Sequence, residues 1–250
     1  MTVRRNIVIS GASSGLGEGM ARRFAARGRN LALCARRLDR LEALAGELRE
    51  ATPGIRVITR ELDVNEHDDV FAAFKEFRAE LGTIDRVIVN AGIGKGQPIG
   101  TGYFHANAQT SRTNVVATLA QCEAAVDVFR DQNAGHLVLM SSVSAVRGLP
   151  RNVTAYAASK AAVSSLGEGI HAELLRTPIK VSTLLPGYIE SEMSGSAGKT
   201  PLLTSADKGA RVLVAAIERE RPKTYIPSWP WAPLSLVLRY APAGLVRKFA

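Results

Sequence analysis

The chain has few cysteines and no long hydrophobic run. Only two of its 250 residues are cysteine, Cys34 and Cys122, and they stand far apart in apolar stretches. This spacing argues against a disulfide framework or a structural zinc site, so we predict no metal site and expect both thiols to pack in the core. No apolar run reaches the roughly 17 residues of a membrane span. No signal or transit peptide precedes the first predicted strand, so the cytoplasm is the expected compartment.

Aromatic residues are also scarce, at 6%, although the chain carries a formal net charge of +9. A basic balance of this size raises the question of nucleic-acid binding. The arginines form isolated pairs with no aromatic residues between them, which is a poor pattern for stacking on bases. The charge therefore favours an anionic small molecule, and we expect no nucleic-acid partner.

Seven short apolar runs alternate with segments whose apolar residues recur every three or four positions. The former pattern is typical of parallel strands covered on both faces, and the latter of helices with one apolar side. The strand runs are Ile7–Ile9, Leu31–Cys34, Val57–Thr59, Val87–Val89, Leu137–Met140, Val181–Leu185 and Thr224–Ile226. They predict an α/β fold, a doubly wound Rossmann-type parallel sheet of about seven strands with helices on both faces. We expect one such domain over residues 1–227, followed by an apolar, Trp- and Pro-rich extension over residues 228–250.

A glycine-rich segment links the first predicted strand to a helical pattern. Its glycines are Gly11, Gly15 and Gly17. A strand, a glycine turn and a helix N-terminus form a site for a pyrophosphate, because backbone N–H groups and the helix dipole favour an anion there. A tight turn without a ligand would tolerate the same glycines, so the motif alone leaves both interpretations open.

Two arginines follow the second predicted strand. In dinucleotide sites an acidic residue near this point binds the adenosine ribose hydroxyls, whereas a basic residue accommodates a 2′-phosphate. The chain reads Ala35, Arg36, Arg37 here, with no carboxylate before Asp39. Because arginine is suited to bidentate phosphate contact, this segment favours NADP(H) over NAD(H). The alternative is a helix that begins with solvated charges.

Polar or glycine residues also follow the third and fourth predicted strands, as Asp63-Val64 and Asn90-Ala91-Gly92. Asp63 can accept a hydrogen bond from an adenine amine or act as the N-cap of the next helix. Gly92 lets the backbone run close to a flat ligand, and it opens a loop to Gly102 that we place at the ligand edge. A second polar loop, Glu190–Pro201, is either a cover over the site or an inert surface loop.

Tyr156 and Lys160 stand four residues apart near the start of a predicted helix, so they share a face. Val163, Leu166, Ile170 and Leu174 continue that face as an apolar stripe. A free tyrosine titrates near 10, so it needs help to act as an acid or base at neutral pH. A lysine ammonium one turn away stabilises the phenolate, and lowering its pKa by about two units requires about 2.7 kcal/mol. We therefore predict an acid–base pair in which Lys160 lowers the pKa of Tyr156.

With these features in this order, the chain resembles the short-chain dehydrogenase/reductase family in its short single-domain form, over residues 5 to 227. The matching motifs are Gly11–Gly17, Asp63-Val64, Asn90-Ala91-Gly92, Asn114, Ser141-Ser142, Tyr156-x-x-x-Lys160 and Pro186-Gly187-Tyr188-Ile189. Three details depart from the common pattern. Ser142 precedes Tyr156 by one residue more than is usual, Ser191 replaces a frequent threonine, and Val89 replaces a frequent asparagine.

The resemblance implies hydride transfer between a nicotinamide ring and the carbon of a carbonyl or secondary alcohol. It implies that Tyr156 is the acid in reduction and the base in oxidation, and that Lys160 holds the nicotinamide ribose. Ser142 would bind the substrate oxygen, and Asn114 would support a water that links Lys160 to solvent. The implied catalytic residues are Asn114, Ser142, Tyr156 and Lys160. The implied cofactor-binding residues are Gly11, Ser13, Ser14, Gly15, Leu16, Gly17, Arg36, Arg37, Asp63, Val64, Asn90, Ala91, Gly92, Tyr156, Lys160, Pro186, Gly187 and Ile189.

The substrate is not readable from the sequence, but the two predicted site loops, Gly94–Ala108 and Glu190–Pro201, carry few charges. This favours an uncharged or lipophilic carbonyl compound, and we interpret His105 and His136 as structural.

The extension holds both tryptophans, and four interpretations of it stay open. It contacts a neighbouring subunit, it covers the substrate, it lies on a membrane surface, or it packs on its own chain. We expect a homodimer or homotetramer. The alternative function is a catalytically silent nucleotide-binding sensor or scaffold of the same fold.

Overall fold

A computed structural model describes residues 3–190 and 202–249, in which strands and helices alternate along the chain. The strands are β1 (Asn6–Ser10), β2 (Asn30–Ala35), β3 (Val57–Glu61), β4 (Arg86–Val89), β5 (Gly135–Met140), β6 (Ile179–Pro186) and β7 (Lys223–Ile226). The helices are α1 (Gly15–Ala25), α2 (Leu38–Ala51), α3 (His67–Leu81), α4 (Phe104–Ser111), α5 (Ala117–Gln132), α6 (Thr154–Leu174), α7 (Ala206–Glu218), α8 (Ser228–Tyr240) and α9 (Ala243–Phe249). Apart from Glu190, the predicted loop Glu190–Pro201, which includes Ser191, lies outside the described residues.

The described strands form one parallel sheet in the order β3-β2-β1-β4-β5-β6-β7, which confirms the predicted doubly wound fold. In the middle of the sheet, Val8 of β1 lies between Ala32 of β2 and Val87 of β4. The strand order reverses between β1 and β4. The loops after these two strands therefore leave in opposite directions and open a crevice at the carboxyl edge of the sheet.

Two hydrophobic layers cover the faces of the sheet. Met20, Phe24 and Leu213 from α1 and α7 belong to the layer on one face. Phe74, Phe77 and Phe129 from α3 and α5 belong to the layer on the other. Both cysteines are buried and unpaired, as predicted, and burial raises the pKa of each thiol to about 12. Both thiols therefore stay protonated at neutral pH, which makes them poor nucleophiles.

The two edge strands differ from the prediction that every strand is covered on both faces. Ile58 and Thr59 in β3 are half-buried, and so are Thr224 and Tyr225 in β7. An edge strand has a neighbouring strand on one side only, so its apolar residues reach less of the helical layers. The sequence runs place these strands correctly, but their burial is only partial.

A buried polar network at the amino edge of the sheet contains His136. Arg86, which is 1% exposed, donates from Nε to His136 Nδ1 at 2.8 Å and forms an ion pair with Glu218. Since Nδ1 accepts, the Nε2–H of His136 is the donor to Ser182 Oγ, at 2.9 Å. Burial and the nearby arginines keep the pKa of His136 well below its usual range. His136 is therefore structural, as predicted.

The C-terminal extension folds into α8 and α9 directly after β7. Trp231 and Ser235, one helical turn apart, are buried, whereas Leu236, Val237 and Tyr240 are exposed. No helix within residues 3–190 and 202–249 combines the length and the apolar character that a membrane span needs.

Candidate active site

The glycine turn packs tightly against the end of β4. Gly11 and Gly15 have φ of +64° and +59°, the left-handed region that favours glycine. A Cβ on Gly17 would lie 2.2 Å from the Gly11 carbonyl oxygen, so α1 rests directly on the turn. Asn90 Nδ2 donates to the carbonyls of Ser10 and Gly11, at 2.9 and 3.2 Å. These contacts fix the turn at the start of α1, where main-chain N–H groups favour an anion.

Two arginines follow β2 beside this turn. Arg37 donates from Nε to Ser13 Oγ at 3.3 Å and from a terminal nitrogen to Ser14 Oγ at 2.7 Å. Arg36 is exposed. The next carboxylate along the chain, Asp39, lies in the first turn of α2. Cationic and hydroxyl groups therefore surround this part of the crevice, with no carboxylate at the end of β2.

The crevice has a volume of about 650 Å³ and contains nearly all of the predicted site residues. Only Gly17 and Asn114 of the predicted set do not line it. Gly17 acts through the close approach of α1 to the turn, and Asn114 is buried behind the crevice wall. Both residues therefore lie next to the crevice lining and not in it.

Asp63 makes a local turn after β3. Its Oδ1 accepts hydrogen bonds from the backbone N–H and the side-chain Nδ2 of Asn65, at 3.0 and 2.7 Å. The N-cap of α3 is Glu66, so the interpretation of Asp63 as a helix cap is wrong. Asn65 Oδ1 in turn accepts from Thr113 Oγ1 at 3.2 Å, which joins this loop to the segment before α5.

Helix α6 is tied to the end of β5 by three hydrogen bonds. Lys160 Nζ donates to the Met140 carbonyl at 2.8 Å, and Ser141 Oγ donates to the Lys160 carbonyl at 2.8 Å. Ser141 Oγ also lies 2.7 Å from Ser164 Oγ. These bonds set the position of the helix that carries Tyr156.

Asn114 lies in a one-turn π-helix, Arg112–Val116, between α4 and α5. Its Oδ1 accepts from Ile93 N at 2.8 Å, and its Nδ2 donates to Ile93 O at 2.9 Å and to Ser159 Oγ at 3.0 Å. Ser159 Oγ donates to the Tyr156 carbonyl at 2.7 Å, so Asn114 links the loop after β4 to the first turn of α6. Such π-turns are frequent at functional sites.

Tyr156 and Ser142 meet in the crevice. Both side chains line it, Ser142 is close enough to affect the pKa of Tyr156, and Ser142 Oγ accepts from Ser144 N at 3.1 Å. Burial raises the pKa of Tyr156, Ser142 opposes this rise, and nearby Tyr188 adds to it. Burial also lowers the pKa of Lys160 to about 8.

The prediction that Lys160 lowers the pKa of Tyr156 is therefore wrong for this structure. Lys160 Nζ lies 5.9 Å from the centre of the Tyr156 ring and donates to the Met140 carbonyl. The cost of burying the phenolate exceeds the attraction to an ammonium at this distance. Tyr156 is thus protonated at neutral pH, and its hydroxyl can give a proton to an oxygen that Ser142 also contacts.

The crevice also fits a dinucleotide on structural grounds. A Cβ on Gly11 would lie 2.9 Å from Ala91 Cα, so the turn and the loop after β4 approach as closely as glycine permits. A Cβ on Gly92 would lie 3.1 Å from Asn114 Oδ1 and 3.4 Å from Lys160 Nζ. A side chain at either glycine would therefore crowd the crevice lining, which runs from the anion-binding turn to Lys160.

Comparison with known proteins identifies the family. The family model described as short chain dehydrogenase matches residues 5–202. An uncharacterized oxidoreductase of Mycobacterium tuberculosis (strain H37Rv) is 54% identical over 99% of this chain and 98% of its own length.

Two solved structures also resemble the chain. A short-chain dehydrogenase from Sphingobium yanoikuyae in complex with NADPH has a TM-score of 0.82 at 29% identity, over 93% of this chain and 92% of that one. A short chain dehydrogenase/reductase from Burkholderia phymatum in complex with NAD has a TM-score of 0.82 at 24% identity, over 94% and 92%.

The chain therefore belongs to the short-chain dehydrogenase/reductase family, and it is an oxidoreductase. Three residues that shape the site were not anticipated from the sequence. Ser159 and Asn65 act through side-chain bonds that no local pattern reveals. Trp231 was noted only as part of the extension, yet it packs against Gly187 at the crevice.

Replacing Gly17 with alanine should disrupt nucleotide binding. The added Cβ would meet the Gly11 main chain, so the turn must move and the anion site with it. We expect the Kd for NADPH to rise by about tenfold or more, measured by calorimetry, because charge-assisted bonds to the pyrophosphate are lost.

Gly46→Ala is the matched control, since nothing lies within 4 Å of its added Cβ in the middle of α2. It should raise the unfolding free energy by about 0.5–1 kcal/mol and leave the Kd unchanged. Unaltered NADPH binding in Gly17→Ala would contradict the assigned role of the turn.

Proposed function

We propose that this protein is an NADP(H)-dependent oxidoreductase that interconverts a carbonyl group and a secondary alcohol on an uncharged or lipophilic substrate. The observation that carries the proposal is that Tyr156, Ser142 and Lys160 line one crevice with the glycine turn. This arrangement supports the proposal that Tyr156 is the proton donor of a nucleotide-dependent reaction.

The proposed roles follow from the side chains. A bound nicotinamide ring supplies hydride in reduction and accepts it in oxidation. In reduction, Tyr156 gives its proton to the substrate oxygen while Ser142 donates a hydrogen bond to that oxygen. In oxidation, the Tyr156 phenolate takes the proton back. Lys160 holds positive charge beside the phenol and contacts the ribose, and Asn114 positions α6 and supports a water that links Lys160 to solvent.

The NADP(H) preference rests on Arg36 and Arg37. Both line the crevice beside Ser13 and Ser14, the proposed 2′-phosphate contacts, and no carboxylate stands at the end of β2 to bind ribose hydroxyls. The family includes structures with NADPH and with NAD, so the choice depends on these residues. The other cofactor contacts that we propose are the cofactor-binding residues that the family resemblance implies. Gly17 contributes indirectly, because its close approach to Gly11 holds the glycine turn in place.

We also propose that residues 1–227 form the catalytic domain, that the chain acts in the cytoplasm, and that it assembles as a homodimer or homotetramer. Phe104, 82% exposed, and Ile99 border a groove of about 750 Å³ on the α4 side, which suits contact with another subunit. A monomeric mass in solution would contradict the assembly.

The outward apolar residues of α8 leave a membrane surface as the alternative for the extension, and binding to lipid vesicles would favour it.

A catalytically silent sensor or scaffold is the alternative function. It requires no proton donor in the crevice, so the presence of Tyr156 and Ser142 in its lining favours the enzyme.

Tyr156→Phe should abolish carbonyl reduction and leave the cofactor in place. The ring that fills the crevice wall remains, but the proton donor is lost, so kcat should fall by about 10²–10⁴-fold. The assay follows NADPH absorbance with a panel of ketones, and calorimetry checks that the Kd for NADPH stays within about twofold. A variant as active as the wild type would refute the catalytic assignment.

The pH dependence should differ between the two directions. Reduction needs protonated Tyr156 and charged Lys160. Since the pKa of Tyr156 is raised and that of Lys160 is about 8, kcat/KM for reduction should be flat from neutral pH and fall above pH 8. Oxidation needs the phenolate, so its kcat should rise with pH. Lys160→Arg keeps its charge and should move the falling limb upward. Reduction that accelerates above pH 8 would contradict these assignments.

Arg36→Ala should weaken NADPH binding selectively. Losing one charge-assisted phosphate contact at an exposed position should raise the Kd for NADPH by about tenfold, and the Kd for NADH should not change. Lys75→Ala removes an exposed charge from α3, outside the crevice, and serves as the control. A wild type that binds NADH more tightly than NADPH would overturn the cofactor choice.

A further inference from the structure

Helix α8 packs against the crevice at Gly187 and Tyr188, in the segment after β6. Trp231 is 4% exposed, and a Cβ on Gly187 would lie 2.0 Å from its Nε1 and 2.2 Å from its Cε2. The indole therefore covers the Gly187 main chain directly, in the segment after β6 that lines the crevice. A residue from the extreme C-terminal part of the chain thus supports the floor of the site.

Trp231 also contacts Tyr188, the residue that follows Gly187. The two rings meet edge to face, with centroids 5.3 Å apart and planes at 80°. Tyr188 lines the crevice and remains 44% exposed, so its ring is available to a ligand. It is also close enough to Tyr156 to influence the phenol electrostatically. An aromatic ring of fixed orientation therefore stands beside the proton donor.

The far end of α8 is hydrogen-bonded to the segment after β5. Arg147 donates to the carbonyls of Leu238, at 3.0 Å, and Ala241. Arg147 follows the short 3-10 turn Val143–Val146, whose N-cap is Ser142. The helix is therefore anchored to both segments that carry site residues, at Gly187 through Trp231 and near Ser142 through Arg147.

This packing is not optimised for stability alone. Trp231 Nε1 and Ser235 Oγ, both on the inward face of α8, are buried without a hydrogen-bond partner among the described residues. Buried polar atoms without partners destabilise a fold, so a feature that retains them calls for another explanation. The position of the indole ring against Gly187 and Tyr188 provides one.

We propose that α8 is a wall of the substrate pocket, in which Trp231 is a positioning residue that holds the Tyr188 ring against the substrate. This inference rests on the proposed function and specifies its substrate class, namely carbonyl compounds with a flat aromatic ring beside the carbonyl group. Such a ring makes edge-to-face or offset contact with Tyr188, which a puckered saturated ring of the same size cannot match.

The test compares acetophenone with cyclohexyl methyl ketone, which have the same number of carbon atoms, as the ratio of their kcat/KM values. Because the two ketones differ in intrinsic reactivity, the readout is the change of this ratio between variants. Trp231→Ala and Tyr188→Leu should each lower the ratio by about fivefold, mainly through the KM of acetophenone.

Two controls should leave the ratio unchanged. Trp231→Phe keeps a ring and removes the unpaired N–H, and Trp229→Ala truncates the other tryptophan of the chain, which is 79% exposed in the same helix. All kcat/KM ratios are measured at saturating NADPH, so that any change of cofactor affinity in a variant affects both ketones equally.

An unchanged ratio in Tyr188→Leu, or in folded Trp231→Ala, would overturn the proposal. A wild type that reduces other carbonyl compounds with NADPH but neither of these two ketones would also overturn the proposal. A wild type that binds no NADPH would instead refute the proposed function. If Trp231→Ala does not fold, Tyr188→Leu and Trp231→Phe still decide the matter.

Discussion

The attachment of α6 to the end of β5 is the constraint on which the site depends. Lys160 Nζ bonds to the Met140 carbonyl, and Ser141 bonds to the carbonyl of Lys160, so strand and helix hold each other at two points. Ser142, the next residue after this contact, meets Tyr156 from the same helix. A shift of α6 by a small fraction of a turn would separate the hydroxyl groups. The glycine turn completes the site because β4 lies between β1 and β5 in the sheet, which brings the loops after these three strands to one edge.

The burial of Tyr156 and Lys160 on α6 also determines which groups of the site are charged. It favours the neutral form of both Tyr156 and Lys160, raising one pKa and lowering the other. A protonated phenol suits reduction at neutral pH, and an ammonium with a pKa of about 8 responds to small changes in its surroundings. Desolvation is therefore the main influence that keeps the proton donor protonated, and Ser142 opposes it in part.

Much of the fold and the site follows from local sequence. The seven strands and the glycine turn were predictable because apolar runs and glycine spacing reflect short-range rules, whereas Ser142, Asn114 and Pro186–Ile189 were implied by the family resemblance. The half-burial of Thr59 and Tyr225 was not, because it depends on which strands lie at the sheet edges. The π-turn at Asn114 and the contact of Trp231 with Gly187 depend on packing between segments far apart in the chain. The pKa of Tyr156 was mispredicted because sequence spacing indicates a neighbour and not the desolvation around it.

A crystal structure of the protein soaked with NADPH tests the central claim most directly. The account predicts that the phosphates lie on the main-chain amides after Gly11, and that the nicotinamide ring lies beside the Tyr156 and Ser142 hydroxyls, with room for a carbonyl carbon about 3–3.5 Å from the hydride-bearing carbon of the ring. A dinucleotide bound elsewhere, or a nicotinamide ring remote from the Tyr156 hydroxyl, would contradict it.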